Sequence, residues 1–147
     1  MVTSKVLNGK ELNCMDKNDY EALVAVRFER AKDLYYEAKE LVKMDCYKSA
    51  NNRTFYAIEK CIKALLATRK MDVETHNGAV SQFNLLFIHQ GNALFTKADY
   101  QKIAKADRIR NASDYDDFYI VNKEETKELL DFVKDFLERT EKYLAER

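Results

Sequence analysis

Hydrophobic positions recur at intervals of three and four along most of the chain. Tyr20, Leu23, Val24, Phe28, Ala31, Leu34, Tyr35, Ala38, Leu41 and Val42 fall on one side of a 3.6-residue period, the pattern of a long amphipathic helix. Asn18 and Glu21 have the spacing of a capping box, so this helix is predicted to open near Asn18, after a loose leader over residues 1–16. Asp45 is placed to cap a second helix with Tyr47, Ala50, Ala57, Cys61 and Leu65 as one stripe, widened by Phe55, Ile58, Ile62 and Leu66. So wide an apolar face predicts a central helix, running out around Lys70. Val80, Phe83, Leu86 and Phe87 predict a shorter helix over 76–90, closed by Gly91 in the left-handed conformation that glycine adopts cheaply.

Thr96 and Asp99 form another capping pair and open a helix whose stripe runs Tyr100, Ile103, Ala106, and on into Arg110 and Asp114. Asn122 with Glu125 caps the last helix, which carries Leu129, Phe132, Val133, Phe136, Thr140, Tyr143 and Leu144 on one face. The connections are short, which predicts that helices successive in sequence lie as antiparallel neighbours. The expected architecture is all-α: an up-and-down bundle of four main helices plus one short helix, formed by residues 17–147.

Composition agrees with that pattern. The chain has 147 residues, no proline and three glycines, so chain breakers are nearly absent. No stretch approaches the roughly 18 apolar residues of a membrane span, and no apolar signal core opens the sequence. Cys14, Cys46 and Cys61 are scattered without metal-ligand spacing. They read as reduced thiols of a cytoplasmic protein, with Cys61 in the core. Neither a metal nor a cofactor is expected.

Charge changes the picture only in its distribution. The net charge is zero, but residues 1–112 hold 19 Lys/Arg against 14 Asp/Glu, while 113–138 hold three against nine. An acidic stretch of this kind reads first as the solvated face of the last helix. Its second reading is a surface that turns nucleic acid toward the basic remainder.

Three places could carry chemistry. Arg110 and Asp114 sit four residues apart on a seam that should be buried, which is costly unless they pair or an anion lies against them. One reading makes Arg110 a phosphate binder oriented by Asp114; the other makes the two an internal ion pair. Asn51, Asn52 and Arg53 interrupt the second helix with polar groups, and Asn52, Tyr56, Lys60 and Lys63 recur on one face. If the Arg53 face met the Arg110 face, a cationic pocket would result. His76 and His89 read as helix-end residues, though histidine alone titrates near neutral pH unaided. Ser-His-Asp order, Walker and GxGxxG loops, HExxH and zinc spacings are all missing from the sequence.

Asn52-Arg53-Thr54-Phe55-Tyr56-Ala57, then Lys63-Ala64-Leu65-Leu66-Ala67, then Thr75-His76-Asn77-Gly78, and finally Arg110-Asn111-Ala112-Ser113-Asp114-Tyr115-Asp116 together resemble the HEPN (higher eukaryotes and prokaryotes nucleotide-binding) family. The resemblance spans roughly residues 20–145. It implies a helical bundle that dimerises, with the arginine motifs of two protomers lining one cleft. Many members are ribonuclease toxins paired with a minimal nucleotidyltransferase antitoxin, and their motif is an arginine, four to six variable residues, then histidine. Arg110 matches the arginine, but Tyr115, Asp116 and Asp117 stand where the histidine would fall; Arg108 finds no histidine either. A tyrosine hydroxyl, with a pKa of ~10, is a poor base at neutral pH. The Arg-x-x-x-Asp-Tyr form resembles a branch lacking the nuclease signature.

Three readings follow. The first is a module that binds a nucleotide or RNA phosphate through Arg110, Asp114, Arg53, Asn52 and Lys60, as a homodimer beside a nucleotidyltransferase-type antitoxin. The second is a metal-independent ribonuclease toxin using Arg110 with Tyr115 or His76. The third is a non-catalytic interaction scaffold. Whether the chain is an enzyme stays open at this level.

Overall fold

The computed structural model describes residues 16–147, so the expected leader lies outside the described residues but for its last position. Five α-helices follow: α1 (Lys17–Lys43), α2 (Tyr47–Ala67), α3 (His76–Phe83), α4 (Lys97–Tyr115) and α5 (Lys123–Glu146). A π-helical turn, Asn84–His89, continues α3. The four long helices and one short helix are those the periodicity predicts, and among the described residues there are no strands.

The helix starts divide into two kinds. Thr96 and Asp99 make the complete reciprocal capping box of α4, and the Asn122 side chain accepts from the Glu125 amide at the start of α5. The first two starts differ from expectation. Asp16, not Asn18, caps α1 by accepting from the Asp19 amide at 2.9 Å, two residues earlier than the Asn18–Glu21 pair implies. Asp45 adopts a left-handed backbone (φ 60°) and Cys46 holds the cap position of α2 without a side-chain bond. The tight α1–α2 turn needs a residue that tolerates the left-handed region, and aspartate is one.

Gly91 is also not the left-handed C-cap; Ala93 carries the positive φ of 73°. What Gly91 supplies is room, because a Cβ there would collide with the Phe87 carbonyl oxygen. The close approach follows from the π turn, where the Gln90 amide donates to the Leu85 carbonyl at 3.0 Å, one residue further back than in an α-helix.

α2 packs against every other α-helix and buries Phe55, Ile58, Cys61, Ile62, Leu65 and Leu66, as its wide stripe predicts. Phe83, Phe87, Phe95 and Phe136 close one end of the core, with Phe83 stacked on Phe87 and edge-to-face with Phe95 and Phe136, geometries that add to simple area burial. The expectation that successive helices are neighbours holds for α1 and α2. It is weaker for α4 and α5, which both lie mainly on α2 and meet each other through side chains, Arg139 on Asp99, Lys105 on Glu125 and Lys102 over Phe132. That separation leaves the outer side of α4 and the connection 116–122 facing solvent.

One long-range tie fixes α4 onto α5. Arg139 donates to both oxygens of Asp99 at 2.7 and 2.8 Å and to the Leu94 carbonyl at 3.0 Å, with its guanidinium over the rings of Phe95 and Phe136. The capping residue of one helix is thus neutralised by the next, which sets where α4, and every side chain on it, sits.

A candidate phosphate-binding face

The solvent-facing strip of α2 carries Asn52, Arg53, Tyr56, Lys60 and Lys63. Because α2 is central, α1 forms one wall of this strip and the α3–α4 side the other. The structure does bring the Arg53 face to the Arg110 face, as the sequence allows. They meet through carboxylates rather than as a bare cationic pocket. Glu37 accepts from Arg53 Nε at 3.0 Å and from Arg30 Nη1 at 3.1 Å. Arg53 Nη1 donates to Asn52 Oδ1 at 2.7 Å, and Asn52 Nδ2 donates to Asp114 at 3.0 Å. Asn51 is buried and satisfied on both sides, donating to Ser113 Oγ at 3.0 Å and accepting from Thr126 Oγ1 at 2.8 Å. The paired asparagines therefore cross-link α2 to α4 and α5, and that is why two poor helix formers occupy a helix interior.

Arg110 lies within this network and its side chain is only 9% exposed. It donates to Asp107 at 2.7 Å, lies 3.7 Å from Asp114, and stacks over Phe55 and Tyr56 at 5.1 and 5.8 Å from their ring centroids. Burial works against its charge, but Asp107, with Tyr56 and Asp114 behind it, outweighs burial and holds the guanidinium above its ordinary pKa. Its Nε is buried without a hydrogen-bond partner. Within one protomer, the charge of Arg110 is engaged by its own helix.

Lys60 is in the opposite condition. It is half-buried and makes no hydrogen bond or ion pair. Burial, and then Lys63, Arg27 and Arg30, push its pKa below the ordinary lysine value, with Asp72 offsetting only part. Arg27 is spent on Asp72 at 2.6 Å and the Lys63 carbonyl at 3.3 Å, and Lys63 on the Glu74 carbonyl at 3.2 Å. Among the described residues, Lys60 is thus the one cation of this cluster without a hydrogen-bond or ion-pair partner.

His76 opens α3 on the other side of Tyr56. Its Nδ1 pairs with the carboxylate of Glu59, a side chain only 5% exposed, while the imidazole itself is half-exposed. The ring meets Phe55 and Tyr56 edge-on or tilted, with centroids 5.4 and 5.6 Å away. His76 and Arg110 therefore contact the same two aromatic rings. Sequence patterning missed Glu59, since it lies on an otherwise apolar stripe and only the fold shows its partner.

Tyr115 is not part of this group. It sits about 140° around the helix from Arg110, is 74% exposed, and lines an open cleft with Arg108, Asn111, Ala112 and Asp116. The sequence marks Arg108 only as a motif arginine. In the fold it is the exposed guanidinium of α4, with no hydrogen bond or ion pair. Among the described residues no group of acidic, histidine and cysteine side chains is placed to hold a metal ion, and no helix is long and apolar enough to cross a membrane.

Comparison with known proteins matches the sequence to a family. The profile of the HEPN domain matches residues 24–143, from the second turn of α1 through most of α5. A protein of Methanocaldococcus jannaschii named "Putative toxin MJ0142" is 30% identical over 131 residues, covering 89% of this chain and 85% of its own. A second from the same organism, "Putative toxin MJ0605", is 28% identical over 92% of this chain and 96% of its own. A "UPF0332 protein" of Thermotoga maritima is 25% identical over 88% and 96% respectively. With the all-α bundle, the motif order and a profile match across most of its length, the chain belongs to the HEPN domain family.

Proposed function

We propose that this protein is a toxin-type HEPN module that binds a nucleotide or RNA phosphate on the α1–α2 face, with Lys60 and Arg53 making the contact. Arg110 and Asp114 hold Asn52 and Tyr56 in place beneath them. The observation that carries this reading is Lys60: a partly desolvated ammonium among Lys63, Arg27 and Arg30, without an ion pair. Like charges held together in a protein raise the free energy of the empty site and lower that of the anion-bound one. The names of the relatives from M. jannaschii support the toxin role. A homodimer is supported by Phe118 and Ile120, 91% and 88% exposed on the connection before α5, since large apolar side chains this bare mark interaction surfaces. A minimal nucleotidyltransferase partner is the family's expectation, and this chain's role beside it would be that of the toxin half.

The test is a titration of the purified protein with inorganic pyrophosphate, ATP and a short RNA, read by thermal stability. A rise in Tm that Lys60→Gln removes is the expected result. If none of the three ligands moves Tm, the binding reading falls.

A second reading is favoured by the Glu59–His76 pair. A buried carboxylate on Nδ1 fixes the imidazole and leaves Nε2 as the proton acceptor, the arrangement general-base histidines use. A ribose 2′-hydroxyl gives its proton to Nε2 as its oxygen attacks the adjacent phosphorus, forming a 2′,3′-cyclic phosphate and displacing the 5′-oxygen, which takes a proton from solvent, while Lys60 balances charge on the phosphate. This makes His76, and not Tyr115, the base of a ribonuclease. Expression in a host cell separates the readings: RNA fragmentation lost in both His76→Ala and Glu59→Gln establishes the enzyme, and intact RNA with wild-type protein removes it.

A further inference from the structure

The α2 strip holds Lys60 in surroundings that make an amine reactive. The side chain is half-buried and has no hydrogen-bond or ion-pair partner among the described residues. Lys63 and Tyr56 flank it along α2, Arg27 and Arg30 approach from α1, and Asp72 from the connection to α3. The carboxylates tied to this cluster are already engaged: Asp72 accepts from Arg27 at 2.6 Å, and Glu37 accepts from both Arg30 and Arg53. The cations still have donors to spare. Arg30 bonds through Nη1 alone, and Lys63 gives one of its three protons to the Glu74 carbonyl. Burial first, then Lys63, Arg27 and Arg30, hold the Lys60 amine below the ordinary lysine pKa. More of it is therefore neutral near pH 7 than of a solvated lysine. A lysine partly out of water and set among other cations is the activated form of this nucleophile.

From this arrangement we infer that Lys60 is a modification site, acylated on Nζ by an acyl phosphate whose phosphate is held by Arg30 and Lys63. The neutral amine attacks the acyl carbon, so a C–N bond forms and the C–O bond to phosphate breaks. Inorganic phosphate leaves with the electron pair, and the attacking nitrogen gives its proton to solvent. No oxidant or further reactant is needed. The product is an amide without charge. Acylation thus removes the unpaired cation from the face, and the phosphate site is closed by the reaction that it promotes. The inference rests on the proposed function in taking this face as a phosphate site, and it adds how that site is regulated, by the supply of an acyl phosphate.

The experiment incubates the full chain with acetyl phosphate and follows acetylation of each lysine over time by peptide mass mapping. Lys48, Lys134 and Lys142, exposed and without ion pairs, are the references. Lys60 should react at least about tenfold faster than they do, because the donor is bound beside the amine. N-acetoxysuccinimide, an uncharged acetyl donor, should show a smaller preference for it. The rate at Lys60 should level off at lower pH than at the references. Inorganic pyrophosphate should slow Lys60 and leave the references unchanged. Arg30→Ala should slow Lys60 as well, with unchanged far-UV circular dichroism showing that the fold is kept. Acetylated protein should lose the rise in Tm on adding pyrophosphate, as Lys60→Gln should. The inference is overturned if Lys60 reacts no faster than the references, if pyrophosphate leaves its rate unchanged, or if it gains a phosphoryl group in place of an acetyl group. A Tm that rises with pyrophosphate while Lys60 stays unacetylated overturns this inference alone. A Tm indifferent to pyrophosphate, with Lys60 no more selective for acetyl phosphate than for the uncharged donor, overturns the phosphate site and the inference together.

Discussion

Replacing Arg110 by methionine separates a structural guanidinium from a ligand-binding one. Methionine keeps the apolar stem over Phe55 and Tyr56 and removes only the charge. What is lost is the hydrogen bond to Asp107 at 2.7 Å, worth about 1.5–3 kcal/mol for a charged pair, and two cation–π contacts, worth about 0.5–2 kcal/mol together. What is regained is the cost of the buried, unpartnered Nε, about 1–3 kcal/mol. Asp107 keeps 36% exposure and Asp114 23%, so both can rehydrate and neither is left as a stranded buried charge. The balance is a destabilisation of about 2 kcal/mol. For a chain of this length that corresponds to a fall in Tm of about 4–8 °C. Urea and thermal unfolding followed by far-UV circular dichroism measure it, alongside a pyrophosphate titration of the folded variant. The expected outcome is lower stability with pyrophosphate affinity unchanged. Wild-type stability together with lost affinity would refute the reasoning, because the guanidinium would then be meeting the ligand and not its own carboxylates.

Three further outcomes follow from the same contacts. Burial alone would raise the Asp99 carboxyl, but Arg139 and the Thr96 amide hold it below the ordinary carboxylate value; its stabilisation is therefore present above about pH 4 and lost as pH falls through the folded value. Asp99→Asn should cost about 3 kcal/mol at neutral pH, and the gap to wild type in urea titrations should narrow on acidification; a gap independent of pH would contradict the assignment. Gly91→Ala should destabilise by about 2 kcal/mol through its clash with the Phe87 carbonyl, measured by thermal melting. Burial pushes the Cys61 thiol to about 12, with Thr140 lowering it only in part, so peptide mapping after iodoacetamide should find it unmodified in the folded protein and alkylated in urea.

Local signals in the sequence translated well into helices. The Thr96–Asp99 box and the Asn122 cap are formed by residues within one turn of each other, so no knowledge of the fold is needed to read them. The wide stripe on α2 identified the central helix for the same reason. The misplacement at Asn18 arises because Asp16, two residues earlier, offers the same capping chemistry, whereas at Asp45 and Gly91 the backbone path of the α1–α2 turn and of the π turn decided the conformation. Nothing in the spacing reveals that Asp99 pairs with Arg139 forty residues away, or that Glu59, on an apolar stripe, reaches His76. The candidate site was legible as a set, since Asn52, Arg53, Lys60 and Arg110 do converge around Tyr56. Their roles were not, because role depends on which carboxylate lies against each cation.

That dependence is sharpest for the two arginines of α4. Residues 108 and 110 are about 200° apart around the helix, so one faces the core and the other solvent. A motif that counts residues to a histidine treats them as alternatives, yet they occupy opposite electrostatic conditions on one helix. They are also linked. Asp107 adjoins Arg108 in the same cleft and would neutralise it if free to turn. The buried Arg110 binds that carboxylate at 2.7 Å, while Asn52 holds Asp114 at 3.0 Å on the far side of the network. Arg110 thus engages the carboxylate nearest Arg108 while its own side chain stays only 9% exposed.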